Sequence, residues 1–463
     1  MRQSSREGAS RTSAGWDEEQ QSKMRPSNPR GTPVQDDLPG TRDLSGEFRK
    51  YIGKQVSYAT HGIHRYPAKF IPQIPRFCIE SYSKPGETVL DPFMGSGTTL
   101  LEAFMCGRDS YGIDIHPLAK LIAKVKITPL EPEGLSSAAE RLLERIRGEE
   151  GDCTDWVPDI PNRAHWFRPA VLADLARVKK HVWSVRAGDA QDFFKICLSS
   201  IVRKVSNSDD DSLIPEVTTF HKMLDEQGKT SYDVIGRFEN TLRAKLVDAA
   251  ELWHLSSEVK ERFRRTPRME IIGRDARDIT LEDGTVDLAV TSPPYASAVH
   301  YVSVHKLEMY WLELIRSTSE VDGNLVGSSR AYAEDYRGWR PSASIAGLQK
   351  VLAELASVDL KSAFIVHRYF DDMRRNLNEA NRVLRRGGRY CVVVGENTFR
   401  KVRIPTYQIL SEIAQRTGFE LDSVFVYDVI NRHLDIPRWN DSRIERDHIL
   451  ELRRIKSAEL SDV

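Results

Sequence analysis

The fold is decided by the stretch Thr88-Val89-Leu90-Asp91-Pro92-Phe93-Met94-Gly95-Ser96-Gly97-Thr98-Thr99. Its first residues are β-branched or apolar and predict a short strand that is buried on both faces. A turn with two glycines follows directly, and from Thr98 to Met105 apolar residues recur at helical spacing. A strand that passes through a glycine turn into a helix is the opening unit of a doubly wound parallel sheet.

Strands and helices continue to alternate downstream of this unit. A second strand is predicted at 110–113 and ends beside Asp114, and Pro117 then opens a helix that runs through Lys126. Further strands are predicted at 269–272, 286–290, 390–394, 421–428 and 448–453, and further helices at 303–315, 359–384 and 405–416. The pattern predicts an α/β protein with a Rossmann-like fold and a mostly parallel sheet.

Composition and periodicity divide the 463 residues into five parts. Residues 1–45 are rich in Ser, Gly, Pro, Gln and charge and predict a disordered tail, and 456–463 form a second, short tail. The alternating strands and helices fill 46–130 and 268–455, which predict two parts of one domain. Residues 131–267 show mainly helical periodicity and predict a large helical insertion between those parts.

The bulk composition excludes several classes of protein. The chain has 67 basic and 67 acidic residues, so any binding of an anionic polymer needs a local basic surface. The five cysteines are scattered without a CxxC pair, which argues against a disulfide framework and against a structural zinc site, and no metal is predicted. Because the sequence lacks both a membrane-length apolar run and the apolar core of a signal peptide, a cytoplasmic protein is predicted.

The glycine turn at 91–99 predicts a ligand site at the start of a helix. Glycines allow the backbone to approach a ligand closely, and Asp114 at the end of the next strand can accept hydrogen bonds from ribose hydroxyls. A dinucleotide is one candidate, but the turn lacks a third glycine at the expected place. The carboxylate of Asp91 would also repel a pyrophosphate, whereas it would attract a sulfonium ligand that carries an ammonium group.

A second motif, Ser292-Pro293-Pro294-Tyr295, follows the predicted strand that ends near Thr291. Consecutive prolines cannot continue a ladder, so they leave rigid carbonyls at the carboxyl end of the sheet. Such a carbonyl and the hydroxyl of Ser292 can each accept an N–H of a planar amine, and Tyr295 offers a flat face for stacking. The alternative is a proline turn that caps the strand beside a packed tyrosine.

Together these motifs resemble the amino-methylating DNA methyltransferases of bacterial restriction–modification type, particularly the cytosine-N4 branch. The stretch 91–99 looks like that family's cofactor motif, and 291–295 looks like its catalytic motif. Four further segments are similar to family elements: 64–72 to the cover over the methionine end of the cofactor, 112–117 to the ribose-binding segment, 273–276 to the adenine-side segment, and 383–388 to a later turn.

The resemblance implies S-adenosylmethionine as the cofactor and double-stranded DNA as the substrate. The implied catalytic residues are Ser292, Pro293, Pro294 and Tyr295. The implied cofactor-binding residues are Tyr66, Lys69, Asp91, Pro92, Phe93, Gly95, Gly97, Thr98, Asp114 and Asp275. Any cleavage activity would belong to a separate restriction endonuclease, because no nuclease motif is visible in this chain.

Several alternatives stay open. Serine before the prolines favours cytosine N4 within the family, but adenine N6 presents a similar amine, and related motifs also serve RNA or protein amides. A DNA-binding protein that keeps the fold without turnover is a further alternative. The target could be read by 131–267 or by the polar loop 318–345, and 131–267 could instead be only a helical cap.

Three basic clusters are candidate DNA contacts, although charge runs are usually solvated faces. They are Arg262, Arg264, Arg265 and Arg268; Arg382, Arg385, Arg386 and Arg389; and Arg400, Lys401 and Arg403.

Overall fold

The computed structural model describes residues 38, 41–50, 58–67, 69–209, 212–218, 232–296, 301–429 and 446–457. Most of the predicted tail 1–45, and the tail 456–463 apart from its first two residues, lie outside these ranges. The chain is ordered earlier than predicted, because Arg42–Asp43 forms a short strand and a helix begins at Ser45. That strand pairs with a distant strand near the end of the chain, a contact that local composition does not reveal.

An eight-stranded sheet forms the centre of the described structure. The described part of the chain has ten strands, eight of which form this sheet. They are β1 Arg42–Asp43, β2 Thr88–Asp91, β3 Asp109–Gly112, β4 Met269–Ile271, β5 Val286–Thr291, β6 Leu384–Gly395, β7 Asn397–Phe399, β8 Val402–Ile404, β9 Phe419–Asp428 and β10 Arg446–Arg454. Strands β7 and β8 pair as a separate hairpin, and the sheet order is β1-β9-β10-β6-β5-β2-β3-β4. Within the eight-stranded sheet, β10 alone runs antiparallel to its neighbours. The predicted α/β fold with a mostly parallel sheet is confirmed.

The central strands are buried on both faces, as their unbroken apolar sequences predict. Val89 and Leu288 point into one core with the helices Gln73–Tyr82 and Thr98–Met105. Leu90 and Ala289 point into the opposite core with the helix Leu360–Val383. Chain order runs outward from β2 through β3 to β4, and in the other direction from β5 to β6, so β2 and β5 flank the switch point where ligands bind in open α/β sheets.

The remaining helices cover the sheet and fill the insertion. Their bounds are Ser45–Arg49, Pro117–Ile127, Pro132–Arg147, Arg163–Trp166, Pro169–Ser184, Asp189–Val202, Val234–Phe263, Tyr301–Val304, Lys306–Trp311, Ser319–Asp322, Ala333–Tyr336, Ala346–Val358 and Thr406–Arg416, with short 3₁₀ turns at Thr154–Trp156 and Arg203–Val205. In the described ranges, none of the helices combines the length and the apolarity that crossing a bilayer requires.

The described residues of 131–267 are mainly helical. Their apolar side chains form one core with the helix Pro117–Ile127 and with the helix Lys306–Trp311. Tyr66 belongs to the same core. The insertion therefore supports one wall of the domain from outside the sheet.

Three local predictions differ from the structure. The predicted helix 303–315 is broken into Tyr301–Val304 and Lys306–Trp311. The helix Ala346–Val358 was not predicted, because 318–345 reads as polar loop up to its first residues. The segment 383–388, which is similar to a later turn of the family, is instead extended after its first residue: the long helix stops at Val383, and Gly387 and Gly388 lie within β6 where its pairing with β5 changes register.

Candidate active site

Two loops meet at the carboxyl edge of the sheet. Strands β2 and β5 are adjacent and parallel, with Val89 opposite Leu288. The loops that follow them therefore emerge side by side, and both line a pocket of about 1030 Å³, including the open space at its mouth.

Asp91 ties these two loops together. Its Oδ1 accepts hydrogen bonds from Thr291 Oγ1 at 2.6 Å and from the Phe93 N–H at 3.1 Å, and its Oδ2 accepts one from Thr99 Oγ1 at 2.6 Å. The side chain is 2% exposed. Burial raises the pKa of Asp91 to about 6, against the opposing effect of these hydrogen bonds.

The turn requires glycine at two positions for different neighbours. Gly95 has φ +50° and Gly97 has φ +77°, both in the left-handed region. A Cβ on Gly95 would lie 3.2 Å from Tyr66 Cε1, and a Cβ on Gly97 would lie 3.0 Å from Ala123 Cβ. Gly95 thus lets the turn approach the ring of Tyr66, whereas Gly97 lets the following helix pack closely.

Asp114 lies just after β3, where the sequence predicts a ribose-binding carboxylate. Its Oδ2 accepts the Gly95 N–H at 2.9 Å, and its Oδ1 accepts the His116 N–H at 2.8 Å. Burial raises the pKa of Asp114 to about 6. Each carboxylate oxygen can accept a second hydrogen bond, so the group can hold the turn and still face a ligand in the pocket.

The segment before the sheet contributes an aromatic wall. The ring of Tyr66 stacks on Tyr301 with centroids 5.7 Å apart, and on His305 with centroids 5.4 Å apart. Lys69 lines the pocket too, and its Nζ donates to the His61 carbonyl at 2.8 Å. That contact gives the ammonium group a partner in its own segment.

Asp275 lies beyond β4 on the opposite wall. Arg277 Nη2 donates to Asp275 Oδ2 at 2.8 Å and to the Asn324 carbonyl at 3.0 Å, and Arg277 Nη1 donates to Asp372 Oδ1 at 2.7 Å. Burial opposes ionisation of Asp275, but the hydrogen bonds and charge of Arg277 prevail and hold the pKa of Asp275 below its ordinary value. The pair joins this wall to the segment around Asn324.

The second motif is only partly arranged as predicted. Ser292 and Pro294 line the pocket, whereas Pro293 is buried beside it. The ring of Tyr295 packs against the core, and its hydroxyl donates to Asp447 Oδ1 at 3.0 Å. The predicted stacking face of Tyr295 is therefore not part of the pocket lining. The Tyr295 hydroxyl is instead bonded to Asp447, which lies on β10 of the sheet.

Most of the predicted site residues meet in this one pocket, and three do not. Those that line it are Tyr66, Lys69, Asp91, Pro92, Phe93, Gly95, Thr98, Asp114, Asp275, Ser292 and Pro294. The three outside the pocket lining are Gly97, Pro293 and Tyr295. Gly97 instead packs next to Ala123.

Residues 322–328 form a wall of the pocket that the sequence did not reveal. A Cβ on Gly327, which has φ +77°, would lie 3.0 Å from the Tyr295 carbonyl oxygen. Arg368 Nη2 fixes the segment by donating to the Ser328 carbonyl at 2.6 Å and to the Arg330 carbonyl at 2.8 Å. The sequence shows only a polar loop here, and its one local signal is the glycine.

Two of the basic clusters face away from the pocket. Arg265 pairs with Asp109 at 2.7 Å, and Arg385 pairs with Asp287 at 2.5 Å. Both aspartates lie at the start of a parallel strand, which is the edge opposite the pocket. In the third cluster Arg403 pairs with Glu396 at 2.7 Å. These contacts favour the solvated-face interpretation.

The pocket chemistry fits a cationic ligand with a ribose better than a dinucleotide. Asp91, Asp114 and Asp322 bring carboxylates to its lining, and Phe93 brings an apolar face. Carboxylates beside the glycine turn would repel a pyrophosphate and attract a sulfonium or ammonium group. The residues present therefore suit S-adenosylmethionine.

The sequence is similar to those of known proteins. A model of the DNA methylase family matches residues 11–125. The chain is similar to the type II methyltransferase M.MvaI of Kocuria varians, with 27% identity over 396 residues that cover 80% of this chain and 84% of that protein. It is also similar to the type II methyltransferase M.BsoBI of Geobacillus stearothermophilus, with 26% identity over 303 residues that cover 58% and 56% of the two chains.

Among solved structures, a SAM-dependent methyltransferase from Methanosarcina mazei is 10% identical, covers 86% of this chain and 100% of that chain, and superposes with a TM-score of 0.30, which is too low to bear on function. The family match and the long similarities instead agree with the motifs and the pocket. The chain is thus similar to amino-group DNA methyltransferases of restriction–modification type, and its pocket suits their cofactor, S-adenosylmethionine.

Proposed function

We propose that the chain methylates the exocyclic N4 amine of cytosine within a specific sequence of double-stranded DNA. The observation that carries the choice of base is Ser292, which lies in the pocket lining directly before Pro293 and Pro294. Serine at this position resembles the cytosine-N4 branch of the family. Adenine N6 is the alternative, because its amine has similar geometry and a serine hydroxyl can accept from either.

The residues of the pocket supply positioning and charge complementarity. When bound, S-adenosylmethionine would supply an electrophilic methyl carbon: the amine nitrogen would bond to it as the carbon–sulfur bond breaks, the sulfur would leave as a neutral thioether, and the methylated nitrogen would release one proton to solvent. Asp91 and Asp114 favour a cationic ligand on one side of the pocket. On the other side, Ser292 and a carbonyl of the proline pair accept the two amine N–H groups and direct the nitrogen lone pair toward the methyl carbon. Such a reaction needs orientation more than a strong base.

For target recognition, we favour the loop 318–345 over the insertion 131–267. Residues 322–328 of that loop line the pocket, and Arg337 and Arg340 are exposed farther along it. The insertion instead buries its apolar residues against two helices, which supports the helical-cap interpretation. A separate restriction endonuclease as partner remains a proposal from the family resemblance alone.

The test is to express the chain in a host without amino-methylated bases, digest the DNA to nucleosides and identify the product by mass spectrometry. We expect N4-methylcytosine, and Ser292→Ala should abolish most of it while leaving cofactor affinity unchanged. The matched control is Ser411→Ala, a buried serine that bonds only within its own helix through the Gln408 carbonyl. N6-methyladenine as the product would refute the assignment to cytosine.

A further inference from the structure

A carboxylate on β10 joins two tyrosines beside the second motif. Asp447 Oδ1 accepts the hydroxyl of Tyr295 at 3.0 Å, and Asp447 Oδ2 accepts the hydroxyl of Tyr427 at 3.1 Å. Tyr427 is the neighbour of Asp447 across the β9–β10 ladder and is 5% exposed. Both carboxylate oxygens are thus held by phenol hydroxyls, one from the sheet and one from the loop after β5.

Tyr295 links Asp447 to a residue of the pocket lining. It is the last residue of the tetrapeptide; burial raises the pKa of Tyr295, and a hydrogen bond donated by the Ser292 side chain to the phenol oxygen opposes that rise. Ser292 in turn lines the pocket, whereas Tyr295 does not. Polar groups therefore connect Asp447 through Tyr295 to Ser292, which lines the pocket.

The backbone of the same loop is anchored separately. The buried side chain of Asn397, at the start of β7, donates to the Ala296 carbonyl. On its other side, Gly327 approaches the Tyr295 carbonyl too closely to accept a Cβ. Because the backbone already has these two supports, the bond from Asp447 to Tyr295 is not needed merely to hold the loop in place.

Burial of a carboxylate costs free energy, so a carboxylate is an unfavourable group for structural support alone. Burial raises the pKa of Asp447, and the two phenol hydroxyls oppose that effect by favouring its ionised form. Apolar residues of similar volume often stabilise such a position equally well. A charged acceptor at this point instead fixes the direction of the Tyr295 hydroxyl, since a carboxylate can only accept from it.

We propose that Asp447 is a positioning residue for methyl transfer: it holds the Tyr295 hydroxyl as a donor, which leaves the Ser292 side chain oriented toward the target amine. The inference rests on the proposed function only in requiring a planar amine at Ser292, so it applies to cytosine and adenine alike. It assigns a role in the reaction to a residue that lies 152 positions from Tyr295 in the sequence.

The test compares Asp447→Asn with Asp422→Asn, which makes the same change on the neighbouring strand β9, where Arg389 and Arg453 are the partners. Single-turnover methyl transfer to genomic DNA from an unmodified host is measured together with calorimetric affinity for S-adenosylmethionine. We expect Asp447→Asn to slow transfer at least ten-fold with cofactor affinity unchanged within two-fold, and Asp422→Asn to change neither.

Two further measurements separate positioning from folding. Tyr295→Phe should slow transfer to a similar extent, and the double variant should be no slower than either single one, because both remove the same contact. Hydrogen exchange at the Ser292, Tyr295 and Ala296 amides should stay at the wild-type rate in Asp447→Asn, because the backbone keeps its other two supports; faster exchange there would show that Asp447 only holds the loop. Wild-type transfer in Asp447→Asn, additive losses in the double variant, or a parallel loss of cofactor affinity would each overturn the proposal.

Discussion

Thr291→Val tests the connection between the two halves of the site. The substitution preserves shape but removes the hydroxyl that donates to Asp91 Oδ1 at 2.6 Å. Thr291 is fully buried and Asp91 is 2% exposed, so water cannot replace the lost bond. Asp91 keeps its hydrogen bonds from Thr99 and from the Phe93 N–H, and the folded structure should persist.

The expected effect is on the pH dependence of cofactor binding. The pKa of Asp91 is raised by burial to about 6, so the affinity for a cation should fall as pH drops through that value. Removing a donor that favours the ionised carboxylate raises the pKa further. A hydrogen bond to a charged group contributes about 1.5–3 kcal/mol, which corresponds to a rise of about 1–2 pH units in the binding midpoint. At pH 7 affinity should then be roughly two- to ten-fold weaker than in the wild type.

The assay is calorimetric titration with S-adenosylmethionine between pH 5.5 and 8.5 (roughly the range in which the effect should appear). Thr417→Val is the matched control, because Thr417 is 1% exposed and its hydroxyl donates to the Ala414 carbonyl, away from the site. Burial also raises the pKa of Asp114 to about 6. This group should therefore contribute equally to the loss of cofactor affinity at low pH in the wild type and in both variants. An unshifted midpoint in Thr291→Val, or an equal shift in the control, would refute the reasoning.

Two further variants address other walls of the site, and a third addresses a basic cluster. Asp114→Asn keeps an acceptor for the turn but removes the negative charge, so calorimetry should show cofactor affinity at least ten-fold lower, and wild-type affinity would make the group purely structural. Gly327→Ala places a Cβ 3.0 Å from the Tyr295 carbonyl oxygen at a positive φ and should slow single-turnover transfer several-fold. Gly284→Ala, which has φ +69° and open space around it, is its control and should have wild-type transfer. Arg265→Gln should leave the salt dependence of DNA binding unchanged, because this arginine faces the opposite edge of the sheet; a shallower slope would show that it contacts phosphates.

Local signals were enough to predict the framework of the site. The strand Thr88–Asp91 and the helix Thr98–Met105 follow from a short apolar run, a glycine turn and helical spacing, all within a few residues. Asp114 could be placed because the end of a parallel strand always lies at the same edge as its neighbours. The pocket therefore contains most of the residues that the sequence suggested.

The parts that could not be predicted depend on contacts between distant segments. The orientation of Tyr295 is set by Asp447, and the wall at 322–328 is set by Arg368, through bonds that no periodicity encodes. The basic cluster around Arg265 was ambiguous for the same reason, since its partner Asp109 is 156 positions away. The role of a polar loop or of a charge run depends on which distant residues the sheet places next to it.

The bond between Asp91 and Thr291 explains why a long insertion can separate the two motifs without separating their functions. These residues are 200 positions apart in the chain, yet each lies at the last position of its strand, and β2 and β5 are neighbours in the sheet. The insertion 131–267 comes between β3 and β4 in the chain, and both strands lie on the side of β2 away from β5, so its length does not alter that adjacency. A carboxylate at the end of β2 then serves both loops: it fixes Thr99 at the start of the cofactor-side helix and Thr291 immediately before Ser292. On the proposed function, one buried carboxylate would hold the loops that bind methyl donor and acceptor, so a change in the protonation of Asp91 should alter both cofactor affinity and methyl transfer.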